Sequence, residues 1–418
     1  MSFCIKNVLL ETGYMEEDNR IIGTATNLFN MFIENGVFQE ILPANQPVNR
    51  DVPCLDAKGQ LLLPSFGQMH VHLDKTYFSG PWKAVTPAKN RFIRIEEEKM
   101  LLPILLPTAK KRAEKMLQHF LSHGTTRVRT HCNIEPVSKL ENLEITRAAI
   151  SEFSGKIDGE IVAFPQHGLL RSNSEKLMRE AMRNGASIVG GVDPGTFDEN
   201  IEKSLTTTMD IAVEADANID IHLHEPGALG TYTIKYLAKL IEEANWQNRV
   251  TISHAYCLGD IPNKEVMEIA DVLNNLGIRL TSSVPIMLPT IPIPLLAEKG
   301  VKIDLGTDNL VDHWSPFGTG AVMEIARKLA ERFKLVDERS LGQTIQHITG
   351  GITPLNQYGE RVWPKVGDKA DAILVNASCS AEAVATRSNC SVVFYNGKIV
   401  FQNQKVVNQN ETKVQGGI

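Results

Sequence analysis

The chain has 418 residues, of which 43% are hydrophobic and 22% are charged, values close to those of ordinary globular proteins. A formal net charge of -6 gives no electrostatic reason to expect a nucleic acid or an anionic membrane as a partner. We therefore expect a small-molecule ligand, no nucleic acid and no membrane, and the composition leaves open whether the chain forms a homo-oligomer.

The N-terminus and the cysteines indicate a cytoplasmic protein. Glu11, Glu16, Glu17 and Asp18 interrupt the region where an export signal would need an apolar stretch. The six cysteines are widely scattered and form no C-x-x-C pair, which argues against a disulfide framework and against a cysteine zinc site. The most apolar window, residues 284–297, is too short to cross a membrane and contains four prolines. We expect it to be a loop or a broken helix.

Short apolar runs alternate with helical segments between residues 64 and 360. The eight runs are residues 63–72, 125–132, 160–166, 187–193, 218–224, 250–256, 278–284 and 301–308. Between them, apolar residues recur at helical spacing, most clearly over residues 107–124 and 263–277. Eight alternations predict an α/β fold of the (β/α)8 or TIM barrel type, with an open doubly wound sheet as the alternative.

The two ends of the chain have a different pattern. Residues 1–63 and 361–418 carry short strand-like runs with turn residues, and Asn396-Gly397 is a strong signal for a two-residue hairpin turn. These flanks predict one small β domain, a β-sandwich, built from both termini. Residues 64–360 are then expected to form the (β/α)8 barrel domain.

The histidines are concentrated at predicted strand ends. Eight of the eleven lie at such an end or in the loop that follows it, and three fall in helical stretches. The eight are His70, His72, His131, His167, His222, His224, His254 and His313. Because the carboxyl ends of barrel strands meet at one mouth, this bias predicts a functional site there.

Strand alternation brings some of these side chains to the inside of the barrel. His70 and His72 share one face of the first strand, and His222 and His224 share one face of the fifth. Asp308 ends the eighth strand, which lies beside the first in a closed barrel. Three imidazoles and one carboxylate suit a divalent cation with one position left for water. Each residue alone has a structural interpretation, as a core histidine or a helix cap, and their joint occurrence favours the metal site.

Several segments resemble the amidohydrolase superfamily, specifically its cytosine deaminase-like branch. The segments are HVHLDKT, RVRTHCNIE, IVAFPQHGLL, GASIVGG, HLHE, TISHA and GTDNLVDHWSPFGTG. They occur in the same order as in that branch, at similar spacing, and cover most of residues 64–330. The terminal β domain also resembles that of the superfamily.

The resemblance implies one metal ion, iron or zinc, at the mouth of the barrel. The implied metal ligands are His70, His72, His222 and Asp308. The implied catalytic residues are Glu225 as the proton shuttle, His254 in contact with the water or the substrate, and Asp308. A bound divalent cation lowers the pKa of its water towards about 7, which supplies a nucleophile at neutral pH.

The resemblance also implies the residues that bind the substrate. Gln166 matches a glutamine that holds the amide edge of a heterocycle, Trp314 matches a pocket wall, and Asn309 follows the implied metal ligand. Three positions depart from the cytosine deaminase pattern, because His224, Asn309 and His167 replace acidic residues. Lys75 is either a charge in the pocket or a partner of Asp74. The recognised ring is therefore expected to differ from cytosine in charge or hydrogen bonding.

The resemblance implies a metal-dependent aminohydrolase, a hydrolase of C–N bonds other than peptide bonds. The first expected activity is that of a cyclic amidine deaminase, releasing ammonia from a cytosine-like nitrogen heterocycle. Two alternatives are an N-substituted amine hydrolase of a triazine-like ring, of the isopropylammelide type, and a metal-containing protein that binds a heterocycle without turnover. Residues 185–195 contain no lysine that could bridge two metals, and the lack of a cysteine pair excludes the other deaminase fold.

Overall fold

Two sheets of eight strands each organise the computed structural model, which describes residues 2–46 and 51–403. In chain order the strands are β1 (Ser2–Glu17), β2 (Arg20–Glu34), β3 (Val37–Pro43), β4 (Cys54–Asp56), β5 (Leu61–Pro64), β6 (Phe66–Val71), β7 (Thr125–Asn133), β8 (Asp158–Phe164), β9 (Ile188–Val192), β10 (Asn218–His222), β11 (Val250–Ser253), β12 (Arg279–Ser282), β13 (Ile303–Leu305), β14 (Ala372–Val375), β15 (Cys390–Tyr395) and β16 (Lys398–Gln402).

Helices follow most of the barrel strands, and further helices lie in the last part of the chain. They are α1 (Arg91–Ser122), α2 (Glu141–Ser151), α3 (Glu175–Arg183), α4 (Ile201–Ala215), α5 (Gly227–Ala244), α6 (Asn263–Asn275), α7 (Ile293–Glu298), α8 (Val322–Phe333), α9 (Glu338–Gln343), α10 (Gln346–Thr349) and α11 (Ser380–Thr386), with a 3-10 turn at Tyr256–Gly259.

Strands β6 to β13 pair in chain order, all in parallel, and confirm the predicted barrel. The closure between β13 and β6 is short. A parallel bridge joins Val71 to Asp308, and the backbone nitrogen of Asp308 donates to the carbonyl oxygen of His70 at 2.9 Å. Gly306 lies against the same strand, where a Cβ would be 2.5 Å from the backbone nitrogen of His70. The backbones of the eighth and first strands thus come so close at Gly306 that no side chain would fit there.

The barrel strands read as continuous apolar runs because both of their faces are covered. All five residues of β9 are buried, as are all four residues of β11. Parallel strands in α/β proteins are enclosed by the core on one face and by helices on the other, which explains this pattern.

Helix α1 differs from the sequence prediction at its beginning. The pattern predicted a helix over residues 107–124, whereas α1 begins at Arg91 and contains Pro103 and Pro107. The side chain of Asn90 caps this earlier start and accepts from the backbone nitrogen of Ile93 at 3.0 Å. Proline is typical of the first turn of a helix, so the sequence pattern placed the start of α1 at Pro107 and missed the turns before it.

The second sheet is built from both ends of the chain, as predicted. Its strand order is β16-β15-β14-β5-β1-β2-β3, and β4 pairs with β1. One face encloses a separate small core that includes Ile5, Met31 and Phe394, while Leu63 and Ile373 on the other face pack with the barrel and its helices. The predicted hairpin turn joins β15 to β16, and both of its residues have positive φ, 47° at Asn396 and 70° at Gly397.

The apolar window at residues 284–297 forms a loop followed by α7 at Ile293–Glu298, which agrees with the prediction. Within residues 2–46 and 51–403, no helix combines the length and the apolar character needed to cross a lipid bilayer. The cytoplasmic location stays a prediction.

Candidate metal centre and substrate pocket

His70 and His72 each use one ring nitrogen to hold the ring in place. The Nδ1 atom of His72 is 3.1 Å from the carbonyl oxygen of His131, which can only accept, so Nδ1 carries the proton. The Nδ1 atom of His70 is 2.9 Å from the hydroxyl of Ser253, which itself donates to Asp220 at 2.7 Å. In both rings this leaves Nε2 unprotonated and free to bind a cation, an arrangement typical of metal-binding histidines.

The free nitrogens point towards Asp308. Nε2 of His70 and Nε2 of His72 lie 3.5 Å and 3.4 Å from one carboxylate oxygen of Asp308. Nε2 of His254 lies 4.0 Å from the other oxygen. His222 completes the group, because ring nitrogens of His70, His222 and His254 lie within 4.8 Å of one another.

The donor set fits a divalent cation. Both ring nitrogens of His222 and of His254 and Nε2 of His70 are buried without a hydrogen-bond partner among the described residues. Burial lowers the pKa of His72 to about 3 and holds those of His222 and His254 well below the usual range, so these imidazoles are neutral. Unpaired buried polar atoms are rare in folded proteins, and neutral imidazoles beside a carboxylate are the ligands expected for zinc or iron.

Two residues of this centre have a strained backbone. His254 has φ of 73° and Asp308 has φ of 61°, a region that residues other than glycine seldom occupy. Such strain is found at functional sites, where the surrounding structure enforces a conformation that aims a side chain. Both residues follow short barrel strands, and the left-handed conformation occurs where the chain leaves β11 and β13.

Glu225 is held in a buried position beyond β10. Its Oε1 atom accepts from the backbone nitrogen of Thr196 at 2.7 Å and its Oε2 atom accepts from the hydroxyl of Thr233 at 3.1 Å. Only 1% of Glu225 is exposed. Burial, followed by the negative charge of Asp193, raises the pKa of its carboxyl group above the usual value. A raised pKa makes this carboxylate a stronger base than an exposed one and suits it to accept a proton.

Asp193 joins several elements at the mouth. It follows β9, accepts from the backbone nitrogen of His224 at 2.6 Å and from Nδ1 of His224 at 2.8 Å, and pairs with Arg91 at 3.1 Å. The ring of His224 in turn stacks on His254 with centroids 4.4 Å apart. His224 therefore supports the position of His254, and its Nδ1 is directed to Asp193.

Gln166 lies beside a buried cation. Nζ of Lys75 donates to Oε1 of Gln166 at 2.6 Å, and Lys75 is 1% exposed. The same Nζ lies 3.7 Å from a carboxylate oxygen of Glu98 and 5.7 Å from the ring centroid of Phe164. Phe164 stacks on His222 with centroids 4.1 Å apart. Lys75 is thus a charge within the pocket, and its ion-pair partner is Glu98.

Glu98, on α1, lies among buried polar side chains that include Lys75. It is completely buried and accepts hydrogen bonds from several surrounding side chains. The donors and their distances are Asn133 Nδ2 at 2.5 Å, Trp314 Nε1 at 2.8 Å and His167 Nε2 at 3.3 Å. Nε2 of His313 lies 2.8 Å from the same carboxylate, without the geometry of a hydrogen bond. Burial alone would raise the pKa of Glu98, but Lys75 and the histidines outweigh it and hold the pKa well below the usual range. Glu98 is therefore ionised.

Asn309 borders the open side of the pocket. Its Nδ2 donates to Asp308 at 3.1 Å, and both residues line a cavity of about 530 Å³. Four exposed apolar side chains, Ile286, Met287, Leu288 and Phe317, line the same cavity. We call these four residues the apolar vestibule. It extends outward from Asp308 and Asn309 and is wide enough for a small organic group.

The structure brings the predicted site residues to one end of the barrel. The predicted metal ligands, with His254, form one group, and Gln166 and Trp314 form a second group around Lys75 and Glu98, with Phe164 between them. Sequence reasoning gave no role to Glu98, Asp193 or His131. His131 is completely buried, and its ring centroid is 4.1 Å from that of His70. Asp193 and His131 lie at the ends of predicted strands, and this position could have identified them as site residues. Glu98 could not be identified in this way, because it lies in the part of α1 that the sequence pattern did not predict.

The comparisons agree with this geometry. The amidohydrolase family matches residues 97–401. Uncharacterized protein YahJ of Escherichia coli strain K12 is 42% identical over 399 residues, covering 95% of this chain and 87% of that protein. The crystal structure of N-isopropylammelide isopropylaminohydrolase from Burkholderia multivorans superimposes with a TM-score of 0.85 at 28% identity, covering 96% of this chain and 98% of that one.

A further structure shares the fold. It is that of 5-methylcytosine deaminase from Klebsiella pneumoniae, with a TM-score of 0.78 at 23% identity, covering 96% of this chain and 98% of that one. The chain belongs to the amidohydrolase family, as the resemblance of its segments predicted.

Proposed function

We propose that the protein is a metal-dependent hydrolase that removes an amine from an amino-substituted nitrogen heterocycle. The observation that carries the proposal is the group of unpaired, buried imidazole nitrogens around Asp308 at the mouth of the barrel. His70, His72, His222 and Asp308 would hold one divalent ion, iron or zinc. When bound, such an ion lowers the pKa of a water molecule and makes it a nucleophile near neutral pH.

The side chains around this centre supply the proton transfers. Glu225, with its raised pKa, accepts a proton from water and returns it to the ring nitrogen and to the departing amine. Thr196 and Thr233 fix both oxygens of Glu225, which keeps the proton path short. His254, whose Nε2 lies 4.0 Å from Asp308, would contact the water or the substrate at the reacting carbon.

The second group of residues recognises the ring. Gln166 offers both a donor and an acceptor, the pair that a cyclic amide requires. Lys75 adds a cation beside it, which favours a ring that carries a carbonyl oxygen or a negative charge at that edge. Trp314, fixed by Glu98, forms a flat wall against the face of the ring.

The apolar vestibule indicates which amine leaves the ring. Ammonia would not need an apolar surface beside Asp308 and Asn309, whereas an alkylamine would. This observation favours an N-alkylamino ring, such as a triazine of the isopropylammelide type, over the unsubstituted amine of cytosine. Cytosine is the second candidate, because Gln166 presents the hydrogen-bonding pair that its amide edge needs.

One assay separates these candidates. The purified protein is analysed for bound metal and then incubated with N-isopropylammelide, cytosine, isocytosine, creatinine, guanine and other aminotriazines, with ammonia and isopropylamine measured separately. We expect isopropylamine from N-isopropylammelide. Ammonia from cytosine without isopropylamine would identify a deaminase instead. A protein that carries metal and releases neither amine from any ring would contradict the proposal and indicate a binding protein.

A further inference from the structure

Two cysteines that lie far apart in the sequence are neighbours in the terminal sheet. Strands β1 and β4 pair in parallel, and the register places Cys4 directly opposite Cys54. The backbone nitrogen of Cys4 donates to the carbonyl oxygen of Pro53 at 2.9 Å, which fixes this register. Burial, and then the neighbouring Cys54, raises the pKa of the Cys4 thiol.

This register matches the geometry of a disulfide bond. Neighbouring strands are about 4.7–4.9 Å apart, and the Cα atoms of disulfide-bonded cysteines are usually about 4.4–6.8 Å apart. Residues directly opposite one another also project their side chains from the same face of the sheet. Both thiols are free in the structure, so a bond between them requires oxidation and little movement of the backbone.

We propose that Cys4 and Cys54 form a reversible disulfide-forming site with a small disulfide such as oxidised glutathione as the oxidant. The thiolate of Cys54 attacks one sulfur of glutathione disulfide, forms a mixed disulfide and releases one glutathione thiolate. The thiolate of Cys4 then attacks Sγ of Cys54 and releases the second glutathione. Two thiols of the protein lose two electrons and two protons, and one glutathione disulfide becomes two glutathione molecules.

The surroundings of the two thiols set the order of these steps. Cys54 is exposed and meets the oxidant, whereas Cys4 is buried. Burial, and then Cys54, raises the pKa of Cys4 to about 12, so its thiolate is scarce, and the buried thiol does not meet glutathione disulfide directly. The mixed disulfide at Cys54 brings a reactive sulfur next to Cys4. Cys132, Cys257, Cys379 and Cys390 are buried as well, which leaves Cys54 as the entry point among the cysteines.

The bond would join the short strand β4 to β1. In the described part of the chain β4 pairs with β1 alone, through Cys4, Ile5 and Lys6. A covalent link at its first residue restricts the chain segment that enters β4 and closes a long loop in the unfolded chain, which stabilises the folded state. Neither cysteine is among the residues around the metal centre. Oxidation is therefore expected to raise the melting temperature and to leave turnover unchanged.

Thiol trapping tests the proposal. The full-length protein is incubated with increasing ratios of oxidised to reduced glutathione, quenched in acid, unfolded and labelled with N-ethylmaleimide. We expect two fewer labels, an intact mass lower by two hydrogens, and a linked peptide pair that contains Cys4 and Cys54. Dithiothreitol should restore all labels. The oxidised protein should melt at a higher temperature than the reduced protein.

Two variants complete the experiment. Cys54→Ser changes an exposed side chain and should abolish the linked peptides and the shift in melting temperature. Cys390→Ser removes a buried cysteine of β15 in the same sheet and should leave both intact. The proposal is overturned if glutathione remains attached to Cys54 without transfer to Cys4, if the linked peptides contain another cysteine, or if no thiol is lost at any ratio.

Discussion

At the scale of single residues, the metal centre depends on which ring nitrogen carries a proton. His72 donates from Nδ1 to a backbone carbonyl, and His70 faces the hydroxyl of Ser253, so both rings present Nε2 to Asp308. These partners come from β7 and β11. Neither partner could be inferred from the H-x-H motif, which gives spacing but not tautomer.

Glu225→Gln tests the proton shuttle. Glutamine keeps the shape of the side chain and its contacts with Thr196 and Thr233 but cannot accept a proton, so we expect unchanged metal content and a loss of turnover of roughly 10² to 10⁴-fold. Metal analysis and amine release measure the two quantities. Glu243→Gln, an exposed change at the end of α5, is the control. Turnover like that of the unmodified protein would remove Glu225 from the mechanism.

Glu98→Gln tests the buried carboxylate of the pocket. Removing the charge leaves Lys75 buried without its counter-ion, and we expect a loss of about 3–5 kcal/mol in the free energy of unfolding near pH 7. Because folding lowers the pKa of Glu98, its stabilisation is complete above the unfolded value of about 4.3 and is lost as the pH falls through the lower folded value.

The pH dependence separates this effect from a simple packing defect. The difference in unfolding free energy between the two proteins should be constant from about pH 7 to about pH 5 and should shrink below about pH 4.3. Urea unfolding across this range measures it. Glu96→Gln, an exposed change on the same helix, should have little effect. A difference that does not change with pH would show that the charge of Glu98 is not what stabilises the fold.

At the scale of elements, the strands were easier to predict than the helix that completes the site. Each of the eight apolar runs overlaps a barrel strand, because parallel strands covered on both faces leave a strong hydrophobic signal. The first turns of α1 were missed, since Pro103 and Pro107 resemble a helix start and the cap at Asn90 lies upstream. Glu98 lies in those turns, so its contact with Trp314, far along the sequence, could not be predicted from local patterns.

The junction of β13 with β6 is open to a direct test. Gly306→Ala would place a Cβ 2.5 Å from the backbone nitrogen of His70, so one of the two strands must move. We expect a loss of about 1–3 kcal/mol in stability, together with lower metal content, because Asp308 is two residues further on. Urea unfolding and metal analysis measure both. Gly13→Ala, where the nearest atom is at an ordinary 3.6 Å, is the matched control.

At the scale of the whole molecule, the terminal sheet and the barrel share one apolar core. Leu61, Leu63 and Val375 on one face of the sheet belong to the same cluster as the residues of α1 and the barrel strands. Strands β5 and β14 are apolar and buried at every position, so their sequences do not show which face meets the barrel. The order of the strands in this sheet was equally beyond sequence reasoning, because β5 pairs with β14 from the other end of the chain.

The shared core predicts a single unfolding transition. Far-ultraviolet circular dichroism and tryptophan fluorescence should report the same midpoint in urea. Leu63→Ala, which removes a completely buried side chain of the sheet, should lower both midpoints together by the equivalent of about 2–5 kcal/mol. Ile22→Ala, an exposed position on β2, should change little. Two separate transitions would show that the sheet and the barrel fold independently.

The hydrogen bond from Asp308 to His70 has a consequence for the exchange of backbone amides. The same two residues close the ring of strands with their main chains and are the proposed metal ligands through their side chains. Removal of the proposed cation with a chelator should therefore loosen the junction of β13 with β6 first. Deuterium uptake at residues 303–308 should rise, while strands on the far side of the barrel keep their protection from exchange.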